Sequence, residues 1–208
     1  MNFSTSRNCL LSLAACALLT ATPVAMADCA SAAASTASLA DREGAVKVFE
    51  EIHDGRDPRR RVEVEVSHPR MTICRDKLEF TVRSSHPGHV YVLQLGSDGE
   101  TFNLVFPNDI SNRGNRLAAG ETLRVPGDLG FEITAMGPPG TDRVLVLVSD
   151  KPRSFSRLKR VDGGGIAAFD TDAAGRIALT RALKRVDCAQ KDCQSAYGAA
   201  LVEIEEIP

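Results

Sequence analysis

The residues of this chain whose types and spacing could support chemistry are its histidines, cysteines and carboxylates. His86-Pro87-Gly88-His89 sets two imidazoles three positions apart on a turn, and His68-Pro69 offers a further one. A metal needs a third ligand and partners that orient the rings, and the spacing supplies neither. The histidines therefore read as exposed turn residues, with metal ligation as the alternative. Nucleophilic catalysis needs a Ser or Cys beside a base that an acid orients, and no Gly-x-Ser-x-Gly elbow occurs. Gly163-Gly164-Gly165 lacks the Lys-Ser/Thr that completes a phosphate loop, so it reads as a hinge. Asp and Glu are plentiful but scattered, and no acid/base pair stands out. No catalytic residue, metal or cofactor is assigned, and the expectation is a non-enzyme.

The cysteines point to a compartment. Arg7 ends a short positive segment, Cys9 to Thr20 is apolar, and Ala25-Met26-Ala27 is a small-x-small cleavage signal. Residues 1–27 thus read as a secretory signal, too short in its apolar run to span a bilayer. Leu13-Ala14-Ala15-Cys16 also resembles a lipobox, but the apolar stretch before it is shorter than such a signal needs. The expectation is a periplasmic or secreted soluble protein, lipidation through Cys16 being the alternative, with no integral membrane segment after cleavage. Cys29, Cys74, Cys188 and Cys193 remain, an even number in an oxidising setting. Cys188 and Cys193 suit a short loop, which leaves Cys29 for Cys74. Such closures are worth about 2 and about 4 kcal/mol in the chain-entropy account. A zinc site is the rival reading, and a lone Cys-x4-Cys supports it poorly.

Composition narrows the partners. The 208 residues are 43% hydrophobic and 25% charged, as in a folded soluble protein. A net charge of −2 gives no general field for nucleic acid or anionic lipid, and 5% aromatics with no Trp argue against a base-stacking platform. Two basic runs stand out, Arg56 to Arg61 and Lys151 to Arg160. Glu63 and Glu65 follow the first at once, so it reads as a solvated face. The second reads as a surface helix or loop whose stems cover the sheet, or else as a docking patch for an acidic partner or a membrane surface.

The elements alternate in period. Residues 28–40 are Ala/Ser-rich and read as a linker, and 41–208 as one domain. Ala45, Val48, Phe49 and Ile52 predict a helix over 41–53. The period then drops to two at Val62, Val64 and Val66. Further strands are predicted at 71–74, 78–84, 88–95, 101–106, 120–124, 131–136 and 143–148. Ser97-Asp98-Gly99 is a hairpin turn, and Gly137-Pro138-Pro139-Gly140 fits neither a helix nor a central strand. Ile177, Ala178, Ala182 and Leu183 predict a helix over 173–185, and 196–207 a closing strand. The fold class is mainly β, an antiparallel, Ig-like β-sandwich with a short N-terminal helix and a C-terminal helix plus strand.

Residues 77–155 resemble the domain-of-unknown-function family 4384. The resemblance rests on Gly88 to Leu93, Asp98-Gly99, the Leu104-Val105-Phe106-Pro107-Asn108 box, Leu117 to Glu121, Pro126, Gly137 to Asp142 and Val144 to Ser149. Cys193 with Ala196 to Ala200 is similar to a tail of some exported members. The resemblance implies a stand-alone β-sandwich module without established catalysis, related to modules found in settings linked to bacterial type VI secretion. The expected function is a non-catalytic interaction module of the cell envelope whose partners are envelope or secretion-system proteins. A periplasmic small-ligand or glycan binder is the alternative. Loops at sandwich ends recognise partners, which nominates Pro107, Asn108, Pro138 and Gly140 as binding residues. In the box itself, Phe106 enters the core, Pro107 ends the strand, and Asn108 or Asp109 closes an Asx-turn.

Overall fold

Val144-Leu145-Val146-Leu147-Val148 is apolar at every position, as a strand must be when both its faces are covered. All five residues are buried, and the architecture follows from covering both sides. The computed structural model describes residues 37–111, 114–161, 165–184 and 196–208. The stretch read as a signal, most of the stretch read as a linker, Cys29, Cys188, Cys193 and Gly163-Gly164 lie outside the described residues.

The elements are α1 (Leu39–Asp54), β1 (Val62–Val66), β2 (Arg70–Thr72), β3 (Phe80–Ser84), β4 (Gly88–Leu95), β5 (Thr101–Phe106), β6 (Arg116–Leu117), β7 (Thr122–Val125), β8 (Gly140–Ser149), β9 (Arg160–Val161), β10 (Ala167–Asp170), α2 (Ala173–Lys184) and β11 (Tyr197–Ile207). An eight-stranded sheet runs β2-β11-β8-β4-β5-β10-β9, with β6 on β4, and a three-stranded sheet runs β1-β3-β7. On one side of the large sheet, Val90, Val92, Val144, Val146, Val148 and Ile204 meet Phe80, Val82, Leu123 and Val125 of the small sheet. On the other, Tyr91, Leu93, Leu95, Leu145 and Leu147 meet Ala45, Phe49 and Ile52 of α1 and Leu179 and Leu183 of α2. The protein is therefore a mainly β sandwich, and its two helices form a third layer rather than peripheral extensions.

Helix boundaries have local causes. Ser38 caps α1 by accepting the Asp41 N–H at 3.1 Å, which starts the helix inside the Ala/Ser-rich stretch read as linker. In α2, Asp172 accepts the Gly175 N–H at 2.6 Å. Its buried stripe is Leu179 and Leu183, while Ile177 is exposed, a correction to the face read from spacing. The Arg176 guanidinium ties the helices by donating to Asp41 at 2.8 Å.

Three strand readings are corrected. The sheets are not wholly antiparallel, because β2 pairs in parallel with β11. The strand read at 71–74 ends at Thr72, since Asp76 accepts the Thr72 N–H at 2.6 Å and Cys74 turns the chain at φ 66°. Residues 131–136 form no named strand, only a bridge between Thr134 and Lys77. Ile133 and Ala135 accept bonds from Leu78 and Cys74, but that partner segment is the turn itself, so no ladder forms. The short strands β6, β9 and β10 carry too little alternation to be seen in the sequence.

Phe49 is fully buried and meets Phe102 at 5.5 Å between ring centroids, which makes it the main anchor of α1 on the sheet. Phe49→Ala is expected to cost about 3–5 kcal/mol, read as a lowered urea midpoint.

Candidate functional site

The proposed binding loops lie at opposite ends of the large sheet. Leu95 pairs with Arg143, which puts the 96–99 turn and the 137–140 loop at one end. The Phe106-Pro107-Asn108 box follows β5 at the other. Pro107 and Asn108 are thus not brought together with Pro138 and Gly140.

At the box, Phe106 is fully buried. The Asn108 side chain donates to the Val105 carbonyl at 2.7 Å and accepts the Ile110 and Ser111 N–H groups at 3.1 and 2.8 Å. All of these bonds hold its own loop, so the side chain has a structural task whatever else the loop does. Asn108→Ala is expected to lower stability by about 1 kcal/mol, in line with the loss of partly exposed local bonds, read as a small drop in thermal midpoint.

The other end holds a cluster that sequence reading missed. Asp142 and Glu206 are 4% and 6% exposed and hydrogen-bond each other. Asp142 accepts from the Gln94 amide at 2.7 Å and from the Ser97 N–H at 2.9 Å. Glu206 accepts the Gly137 N–H at 2.6 Å, and Ser97 donates to the Pro138 carbonyl at 2.7 Å. Gly140 lies at φ 150°, and a Cβ there would come within 2.7 Å of the Ser97 side chain. The 137–140 loop is therefore latched to the ends of β4, β8 and β11. Burial, and then the neighbouring Asp142 charge, push the Glu206 carboxyl up to about 7, and burial also raises Asp142. Both carboxyls are thus held above the ordinary carboxylate range, with Asp98 adding further negative charge.

The sign of the pH effect follows. Glu206 sits at 4.5 when unperturbed and near 7 when folded, so its stabilisation is full below the lower value and lost as pH rises through the upper. The thermal midpoint is expected to carry a component that falls across that window. Glu206→Gln, which keeps a donor toward Asp142, flattens it.

The remaining nominated residues have local partners. His86 lies 3.0 Å from the Ser85 hydroxyl and His89 3.2 Å from the Asn115 amide oxygen. Both are half-buried rather than exposed. No group of three or more His, Cys, Asp or Glu among the described residues is placed to hold a metal, and no described helix is long and apolar enough to cross a membrane. Cys74 is disulfide-bonded. In the first basic run, Arg59 pairs with Asp57 at 3.0 Å, and Arg60 lies 3.8 Å from Asp150. The second run is an irregular strap. Arg153 is buried over the Tyr197 ring at 5.7 Å, Leu158 is buried, and Phe155 packs between Tyr91 and Phe169.

Two surface features remain. A groove of about 340 Å³ between α1 and the 96–99 turn is lined by Arg42, Lys47, Leu95, Ser97, Thr141 and Arg143, among others. The second is the free edge of β1. Ser85 donates to the Arg61 carbonyl and Ser67 to the Glu79 carbonyl. By alternation, the backbone groups of Val62, Val64 and Val66 point away from β3. No described strand is hydrogen-bonded on that side, and only at its start does β11 come close, where a Cβ on Gly198 would meet the Arg60 carbonyl and the Val62 side chain.

Residues 74–152 match the family model described as Domain of unknown function (DUF4384). That stretch, from the turn after β2 to the end of β8, is a domain of this family and covers under half of the chain. Searches of curated proteins and of solved structures returned no match.

Proposed function

We propose that this protein is a non-catalytic, exported interaction module of the bacterial cell envelope, and that it recruits a partner by strand addition. The observation that carries this reading is the open edge of β1, where three successive outward-facing residues offer backbone donors and acceptors that no described strand uses. The signal-like N-terminus and the disulfide at Cys74 support an oxidising, extracytoplasmic setting. Pairing of Cys29 with Cys74 and of Cys188 with Cys193 belongs to the same proposal. Accessory work in type VI secretion is the specific form suggested by the family resemblance.

A second reading, a binder of a small anionic ligand, draws on the groove beside α1. The Arg42 Nε there is buried without a hydrogen-bond partner. Glu43 and Glu50 also line the groove and weaken its field.

Crosslinking of a tagged copy in the envelope of its native host, followed by mass spectrometry, separates the two. Expected is reproducible recovery of an envelope or secretion-system protein, lost in Val64→Pro while the circular dichroism and melting profile persist. The substituted N–H points outward, so no ladder bond to β3 is removed. Recovery that Val64→Pro leaves intact overturns strand addition. Recovery of nothing above background favours the small-ligand reading.

A further inference from the structure

The β1 edge also carries information about the strand it would accept. The other edges are less suited. β7 has four residues and runs into Pro126, and β2 and β9 have three and two. β1 has five, Val-Glu-Val-Glu-Val, and its faces differ in kind. Val62, Val64 and Val66 reach the core between the sheets but stay half-buried, so this side of the apolar interior is only partly closed, Gly198 of β11 lying against Val62. Glu63 and Glu65 are exposed on the outer face and enter no ion pair among the described residues. Arg83 is the register partner of Glu63, and Arg124 of Thr81, so the positive charge of that face lies on β3 and β7, behind the edge.

An added strand alternates its side chains in step with β1. Positions beside the three valines would complete the core and need to be apolar. Positions beside Glu63 and Glu65 would stand next to two carboxylates, of which Glu63 has Arg83 across from it on β3 while Glu65 faces the uncharged Thr81. We infer that the β1 edge selects an extended partner segment that alternates apolar with basic residues, closing the valine row and neutralising Glu63 and Glu65. This rests on the strand-addition reading above and specifies its partner. A second copy of the chain is a poorer occupant. Laid antiparallel with Val64 on Val64, it would set Glu63 against Glu65 twice, and like charges directly opposite are unfavourable.

The test uses the signal-cleaved full chain and two labelled peptides, one of alternating valine and lysine, one of alternating valine and glutamate, read by fluorescence anisotropy at low salt. The lysine peptide is expected to bind about tenfold tighter or better. The paired change Glu63→Gln with Glu65→Gln, which removes both charges without setting a cation against Arg83, should abolish that preference. Val64→Pro should weaken both peptides. Equal binding of the two peptides, or a preference the paired change leaves alone, overturns the inference. So does a dimer in sedimentation that Val64→Pro dissolves, because the occupant is then a second copy. If the envelope crosslink is lost in Val64→Pro yet the peptides are not distinguished, the charge rule fails and strand addition stands. If the crosslink ignores Val64→Pro, strand addition itself fails.

Discussion

Burial of β8 on both faces is the constraint on which the rest of the fold depends. A five-residue apolar run cannot leave either side to water, so the chain must supply a cover for each. The two covers differ. One is a small sheet whose valines, Phe80 and Leu123 interleave with Val144, Val146 and Val148. The other is a pair of helices and a strap that close over Leu145 and Leu147. The strap shows how fully the second side is sealed, because the Arg153 N–H donates to the Tyr91 hydroxyl at 2.7 Å and the Tyr197 hydroxyl donates to the Ile52 carbonyl at 2.7 Å. Both tyrosines of the chain thus serve as polar pins through an apolar layer.

Much of this architecture is legible in the sequence, for a physical reason. Strands β1, β3, β4, β5 and β8 and both helices carry strong periodicity, and periodicity reports which faces are buried. What it does not report is the cover. The Val-Leu alternation of β8 says that two covers exist, whereas the identity of each depends on chain crossings that no local pattern encodes. The 131–136 stretch shows the reverse failure. Its alternation is real, since Ala135 is buried and Phe131 and Ile133 lie against the core, but its neighbour is a turn and cannot complete a ladder.

The Asp142–Glu206 latch left a trace that could have been read. Asp142 is in phase with Val144, Val146 and Val148, and Glu206 with Ile204, so each is an acid standing where the pattern calls for an apolar residue. The register of β11 on β8 then sets Glu206 beside Gly140, two residues from Asp142. Sixty-odd intervening positions hide the pair until strand pairing is known. The two nominated loops lie at opposite ends of the large sheet, a placement hidden for a related reason, because order along the chain says nothing about which end of a sheet a loop occupies.

The stretch that matches the family is only the middle of this arrangement. It contains β3 to β8, but the strand paired with β8 on its far side is β11, and α1 covers the leucines facing the other way. Cut at 74 and 152, the segment would leave one edge of β8 unpaired and Tyr91, Leu93, Leu145 and Leu147 uncovered. The unit that is inherited is therefore smaller than the unit that folds. Here the roof over the second face of the central strands comes from α1, α2 and the Phe155–Leu158 part of the strap, all of it chain outside the matched stretch.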